Sequence, residues 1–337
     1  MTSPRATLIQ VAERAGVSLA STSRALHGTG ASPAMVERVR AAAAALGYSA
    51  DAIGRSLRMK KTFQVAFAVA DIGNPVYVEM MRAIHAVLEP HGYRVVVMST
   101  GDTATSTTDL VHSLNSGFVD GMIVSPLRTD DRLIAEIQLA PVPVVVIGRT
   151  LDDRGISSVS TDSAGGIGDA VRHLHALGRR HLGFLNGPLD TTPGAARQRG
   201  FDAVTREITF DREDQEIAAD FTVTAGLDAA RLLFARGRVD ALVAANDLLA
   251  IGAIRAVREQ GLSVPEDVAV TGMDDTEIGR VFQPSLTSVS LGSTERGRAA
   301  AEIMLQLADD PDRAAQQVAV GPELVVRESS TPEGGAR

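Results

Sequence analysis

The sequence predicts an all-α headpiece with a helix-turn-helix, followed by an α/β body of two Rossmann-like lobes with parallel sheets. Three observations lead there. A capped helix, a glycine and a second capped helix succeed one another within the first thirty residues. From residue 62 onward, short β-rich runs alternate with amphipathic stretches. The charge is split between the two parts. The chain carries −8 over 337 residues, yet residues 1–61 hold nine Arg or Lys against Glu13, Glu37 and Asp51. The headpiece is therefore +6 and the remainder −14.

The first helix opens at Thr7, whose hydroxyl oxygen suits an N-cap. Leu8, Val11, Ala12 and Ala15 follow at i, i+3, i+4 and i+7, one apolar face. Gly16 ends it, where a positive φ is favoured. Val17 plugs a small core and Ser18 caps the second helix. On that helix Thr22, Ala25 and Leu26 turn inward, whereas Leu19, Ala20, Ser23 and Arg24 turn outward. Ser32 and Pro33 begin a third helix that closes at Gly47.

In a helix-turn-helix the second helix enters the major groove of duplex DNA. Arg24 can then fork onto O6 and N7 of a guanine. Leu19 and Ala20 offer apolar contact, and Ser21, Ser23 and Ser32 suit phosphates that set register. The cationic headpiece on an anionic body gathers non-specific DNA affinity in one place. The chain's two lysines, Lys60 and Lys61, stand at its end.

In the body, runs at 64–70, 94–98, 121–124 and 142–147 read as buried strands, with helices near 76–90, 105–117 and 129–138 between them. A second series has helices at 163–177, 194–207, 225–236 and 246–260. Its strands fall near 181–186, 216–219, 240–244 and 267–271. A last helix, 294–308, precedes strand-like 316–320 and 323–327. With 45% hydrophobic and 4% aromatic residues, the core is mostly aliphatic.

Other classes are disfavoured. There is no Cys, hence no disulfide framework or thiolate zinc site. No P-loop motif occurs, and Gly165, Gly166 and Gly168 mimic a dinucleotide fingerprint at the wrong spacing, inside a helix. His173 and His175, two apart on one helix, make a poor metal pair. No catalytic constellation, cofactor or metal site is expected. The start Met1 to Arg5 leads into no apolar stretch, and no apolar run nears 18 residues. A cytoplasmic protein with no membrane partner is expected.

Residues 5–61 resemble the DNA-binding headpiece of the lactose/galactose repressor family. The likeness is carried by Val11, Ala12, Ala15 to Ser18, Ser23, Arg24, Gly28, Ser32, Arg38, Val39, Ala42, Leu46 to Tyr48, Arg55 and Leu57. It runs on to about residue 329. The resemblance implies a homodimeric, ligand-controlled transcription regulator, in most cases a repressor, on a near-palindromic operator. It implies domains at 1–48 (headpiece), 49–61 (hinge) and 62–329 (effector and dimerisation body). The body's N-lobe takes 62–161 and 291–321 and its C-lobe 162–290 and 322–329, with chain crossings near 161, 290 and 322. Residues 330–337 are expected to be a disordered tail.

In the family the hinge becomes a helix on operator DNA, and paired leucines at the position of Leu57 wedge into the minor groove. Two residues depart from the pattern. Ala50 and Asp51 replace the usual Pro-Asn, and Gly54 replaces an alanine, costing about 1 kcal/mol of helix stability. This hinge is expected to fold less readily on DNA.

In open α/β sheets ligands bind beyond the carboxyl ends of strands. Polar signatures stand there: Asp71 to Tyr77, Arg149, Arg197 to Phe201, Asn246 and Asp247, and Gly272 to Asp275. Their order resembles the family's effector domain, itself similar to periplasmic sugar-binding proteins. The resemblance implies effector contacts from Arg197, Asn246 and Asp274, joined by Asp71, Asn74, Ser125, Arg149 and Phe221. These residue types suit a polyhydroxylated ligand: a carboxylate accepts from two hydroxyls, an arginine donates a fork, and Phe221 or Tyr77 covers an apolar sugar face. Alternatives stand beside these roles. Asn246 opens a helix and can be its cap, Asp71 and Asp275 can hold loops, and Arg149 can close the lobes through a salt bridge. Ser290, Leu291 and Gly292 stand where some relatives carry a polar contact. A purine or nucleoside effector is the runner-up, and a sugar-transport protein the more distant reading.

Overall fold

The computed structural model describes residues 6–27, 30–48 and 61–331. They fall into two compact units divided at Thr62 and Phe63. The expected hinge residues Asp51, Gly54, Arg55 and Leu57, and Gly28, lie outside the described residues.

The first unit is three helices, α1 (Leu8–Ala15), α2 (Leu19–His27) and α3 (Pro33–Ala45). Thr7 and Gln10 form a reciprocal capping box at the start of α1. Gly16, at φ 64°, turns the chain out of it. Ser18 Oγ accepts from Ser21 N at 3.2 Å and so opens α2. Ser32 caps α3 through Met35 N, with Pro33 in its first turn. Val11, Ala15, Ala25, Val39, Ala42 and Ala43 meet in the core, with Val17 and Leu26 packed against them.

The second unit contains, among the described residues, two sheets of six strands. Sheet one takes β1 (Gln64–Val69), β2 (Arg94–Ser99), β3 (Gly121–Ser125), β4 (Val144–Gly148), β5 (Ser158–Thr161) and β11 (Gln317–Val320), in the order β11-β5-β4-β3-β1-β2. Sheet two takes β6 (His181–Asn186), β7 (Arg212–Ile217), β8 (Ala241–Ala244), β9 (Ala269–Met273), β10 (Thr287–Ser290) and β12 (Glu323–Val325), in the order β12-β10-β9-β8-β6-β7. Neighbours run parallel except β12, which is antiparallel to β10. The chain changes sheet after Thr161, after Ser290 and between Val320 and Glu323.

Helices cover both sheets, as parallel strands require: α4 (Pro75–Leu88), α5 (Ala104–His112), α6 (Asp131–Leu139), α7 (Ser163–Ala176), α8 (Thr192–Glu207), α9 (Val223–Arg236), α10 (Asp247–Glu259), α11 (Glu277–Val281) and α12 (Ser293–Asp309). The glycines that mimic a nucleotide fingerprint lie inside α7, and a methyl on Gly166 would stand 2.8 Å from Val289 Cγ1. That glycine lets helix and sheet touch.

The structure corrects three expectations. The second strand of lobe two spans Arg212–Ile217, not 216–219. It is an edge strand whose Arg-Glu-Asp-Gln-Glu-Ile residues alternate between exposed and half-buried, so no apolar run marks it. Strands β5 and β10 and the short α11 join the expected elements. Ser330, expected to open the tail, is part of the folded body. Ser329 and Ser330 are buried, with Ser329 N donating to Ser285 O at 2.9 Å and Ser330 Oγ bonded to Thr287 Oγ1 at 2.7 Å. Residues 332–337 lie outside the described residues.

Candidate functional site

In both sheets the strand order reverses beside the first strand, at β1/β3 and at β6/β8. These switch points open a crevice at the carboxyl ends of the strands, the ordinary place for a ligand in such folds. The two crevices form one cleft of 1010 Å³ lined from both lobes. All eight residues singled out in the sequence line it: Asp71, Asn74, Ser125, Arg149, Arg197, Phe221, Asn246 and Asp274.

Local folding sets the role of each. Asn74 caps α4 by accepting from Val76 N at 3.2 Å. Asp71 accepts from Gly73 N at 2.8 Å and so holds its own loop. Asn246 does two jobs: Oδ1 accepts from Leu249 N at 2.8 Å as the cap of α10, and Nδ2 donates to Phe221 O at 3.1 Å. The cap role and the place on the cleft wall thus coexist. Arg149 is exposed and, among the described residues, makes no ion pair.

Arg197 comes from the second turn of α8 and Asp274 from the end of β9, with Arg197 Nη2 3.7 Å from Asp274 Oδ1. Both side chains are only 8% exposed. Burial drives the arginine's pKa down and the aspartate's up, and each charge partly offsets the shift of the other. The Arg197 guanidinium also sits over the Phe221 ring, 5.7 Å from its centroid. Asp274 and Asp275 have φ of 105° and 50°, unusual for residues with side chains. Asp275 secures this turn, bonding Arg280 at 3.1 Å and Arg327 at 2.6 Å. It holds the loop, while Asp274 faces the cleft.

Three further cleft features escaped the sequence reading. Arg296, on α12, is 6% exposed and lines the cleft. Thr129 and Thr161 line it too. Among the described residues, five buried side-chain polar atoms have no partner: Thr129 Oγ1, Thr161 Oγ1, Arg197 Nε, Arg296 Nε and Thr271 Oγ1. All but Thr271 belong to cleft-lining residues. Tyr77, on the same wall, has its phenol pKa raised by burial despite a hydrogen bond with Ser125. A signal for Arg296 was available: it shares a helix face with Ser293, Gly297, Ala300 and Ala301, a buried stripe where a charge is out of place.

The headpiece carries a second surface. Leu19 is 48% exposed, and Ala20 and Arg24 are exposed beside it on α2, while Ser21 and Ser23 are partly buried. Thr7, Ser18 and Ser32 are exposed and cap the three helices. Arg24 Nη2 reaches Ser21 Oγ only at 3.5 Å, a weak bond that leaves the guanidinium available. No described helix is long and apolar enough to cross a membrane.

A three-helix headpiece with an exposed second helix, attached in sequence to a two-lobed ligand-cleft body, defines a ligand-responsive transcription regulator. The chain belongs to the LacI family. Residues 7–51 match the family of bacterial regulatory proteins of lacI type, and residues 171–330 match a periplasmic binding protein-like domain. The transcriptional regulator CelR of Thermobifida fusca is 31% identical over 335 residues, covering 96% of this chain and 98% of that protein. The lac repressor dimer bound to operator and the anti-inducer ONPF superposes with a TM-score of 0.84 at 27% identity, over 97% of this chain and 99% of that one. A CelR–cellobiose complex gives 0.71 at 30% identity, over 97% and 100%. The chain is a DNA-binding transcription regulator, and the relatives it matches are regulators, not enzymes.

Proposed function

We propose that the chain acts as a homodimeric repressor on a near-palindromic operator, and that a sugar-like effector in the inter-lobe cleft sets its DNA affinity. The observation that carries the effector half is the gathering of unpartnered buried polar atoms on the cleft wall, at Thr129, Thr161, Arg197 and Arg296. Buried donors without partners are costly, and a ligand rich in hydroxyls satisfies them. The similar lac repressor bound to operator and the CelR–cellobiose complex support both halves. A stacked nucleobase fits less well, because one face of Phe221 is already taken by Arg197.

In this reading Arg197, Asp274 and Asn246 bind ligand hydroxyls, with Ser125, Asn74, Asp71 and Arg149 around them and Phe221 against an apolar face. On the headpiece Arg24, Leu19 and Ala20 read bases, and Thr7, Ser18, Ser21, Ser23 and Ser32 set register on phosphates. Arg55 and Leu57 belong to the hinge. The effector works through unequal affinity for the DNA-competent and incompetent lobe arrangements. The test is thermal denaturation of the full chain against sugars and nucleosides, followed by operator titration with and without the stabilising compound. A ligand that binds the folded state raises its melting temperature by mass action. Stabilisation by a sugar together with a changed operator Kd supports the reading, and stabilisation by nucleosides alone overturns it.

A further inference from the structure

Arg296 is a buried cation without an anion of its own. It stands on α12 shortly after Gly292, where the wall offers apolar Leu291. Among the described residues its guanidinium makes no hydrogen bond and no ion pair, and its Nε is buried and unpartnered. The terminal nitrogens are what remain to face the cleft that Arg296 lines. The acids nearby make their hydrogen bonds to groups other than Arg296. Glu79 Oε2 accepts from Ser293 Oγ at 2.6 Å. Asp247 accepts from Thr276 N and Oγ1, at 2.7 and 2.8 Å, and from Ser288 Oγ at 2.5 Å. Glu295 is exposed. Asp274 is left, and it is already paired with Arg197.

Arg197 and Arg296 therefore both feel the Asp274 carboxylate, but only Arg197 is paired with it. A buried charge is expensive until a counter-charge with hydrogen-bond acceptors reaches it. We propose that the effector carries a carboxylate received by Arg296 beside Arg197, so that the ligand is a sugar acid rather than a neutral sugar. A carboxylate sets one negative charge beside Asp274, whereas a phosphate dianion would set two. The planar guanidinium fork fits a carboxylate with two parallel N–H donors. The proposal rests on the cleft being a polyol site, since Asp274, Asn246, Thr129 and Thr161 are left for the hydroxyls of the same molecule.

The experiment is calorimetric titration of the full-length chain with matched pairs: glucose and glucuronate, galactose and galacturonate, with glucose 6-phosphate as the phosphate arm. The expected result is that an acid binds about tenfold or more tighter than its neutral counterpart and than the phosphate. Arg296→Leu should abolish that preference, so that the acid binds no more tightly than its neutral counterpart to the same variant, and Arg296→Lys should keep part of it. A neutral sugar or a phosphate binding as tightly as the acid overturns the carboxylate and leaves the sugar cleft standing. An acid preference that survives in Arg296→Leu overturns the assignment to Arg296. Binding by neither acids nor neutral sugars overturns the polyol reading and the carboxylate together.

Discussion

Arg128 grips Asp190 from the opposite lobe: Nε donates to Oδ2 at 2.7 Å and Nη2 to Oδ1 at 3.0 Å. Arg128 follows β3 of sheet one, and Asp190 precedes α8 of sheet two. Beside them Thr192 N donates to Leu127 O at 2.9 Å, a second link between the lobes. The pairing holds Asp190's carboxyl below its ordinary pKa and raises that of Arg128. The lobe-closing role that the sequence left open for Arg149 thus falls, in this structure, to Arg128.

Asp190→Asn should loosen the lobe arrangement without harming either core, because Asp190 is exposed at the cleft rim. Exposed ion pairs are weak and screened by salt. Effector affinity should drop only a few-fold, and the gap from wild type should narrow between about 50 mM and about 500 mM NaCl. Titration calorimetry at the two salt concentrations checks this. Equal affinities at low salt would show that the clasp has no part in closure.

The end-of-strand residues were legible because topology puts strand ends at the crevice: Asn74 follows β1, Ser125 ends β3, and Asn246 follows β8. Arg296 was harder to read: its stripe of small residues hinted at burial, but an arginine in a helix reads as solvated until the helix's partners are known. Here α12 packs so tightly on α4 that a methyl on Gly297 would stand 2.6 Å from Met80 O. Burial of that face is a tertiary fact. The same holds at Ser330, which reads as tail but whose Oγ bonds to Thr287 Oγ1 and His173 Nε2. Edge strand β7 was misplaced because its alternation lacks apolar residues until Ile217.

Asp247 should give the body a pH-dependent stability of unusual sign. Burial, then the neighbouring Asp274 charge, pushes its pKa up to about 7, against the hydrogen bonds from Ser288 and Thr276. In the unfolded chain it titrates near the ordinary aspartate value of about 3.9. The folded state then binds the proton more tightly, so this group's contribution is complete below about pH 4 and is lost as pH rises through about 7. Asp247→Asn should remove this slope and stabilise the protein at pH 8, by an amount on the order of 3 kcal/mol. Urea denaturation across that range checks it. Parallel curves for wild type and variant would rule the titration out.

The packing of α9 on α10 should be intolerant of any side chain at Gly252. A methyl there would meet the Val223 carbonyl and the Leu227 amide, and one on Gly226 would lie 2.5 Å from Leu249 O. Gly252→Ala must push α10 outward, a strain of about 1–3 kcal/mol. Because Asn246 caps α10 and holds Phe221, the shift should also weaken effector binding. A fall in urea midpoint together with a higher effector Kd is the expected pair of results. Wild-type stability would show that the helices can move apart freely.

Gly54 stands in the expected hinge, outside the described residues. Gly54→Ala removes about 1 kcal/mol of helix cost per chain. If the hinge folds on operator DNA, both chains of a dimer gain, and operator Kd should fall by about tenfold or more. Unchanged or weaker binding in a gel-shift titration would remove hinge folding from the account.

Arg24 separates reading bases from holding the backbone. Its guanidinium is exposed on α2, and among the described residues it is tied only by the 3.5 Å contact to Ser21. If it forks onto a guanine, Arg24→Ala should cost about 1–3 kcal/mol on the preferred operator and much less on sequences altered at that base pair. Ser32→Ala, which also loses the cap of α3, should weaken all sequences alike. The net +6 of residues 1–61 makes both affinities fall steeply with salt, so the comparison belongs at one fixed ionic strength. Fluorescence anisotropy on the operator and its single-base variants resolves the two patterns. A uniform loss for Arg24→Ala would place that arginine on a phosphate, and an unchanged profile would take α2 out of the groove.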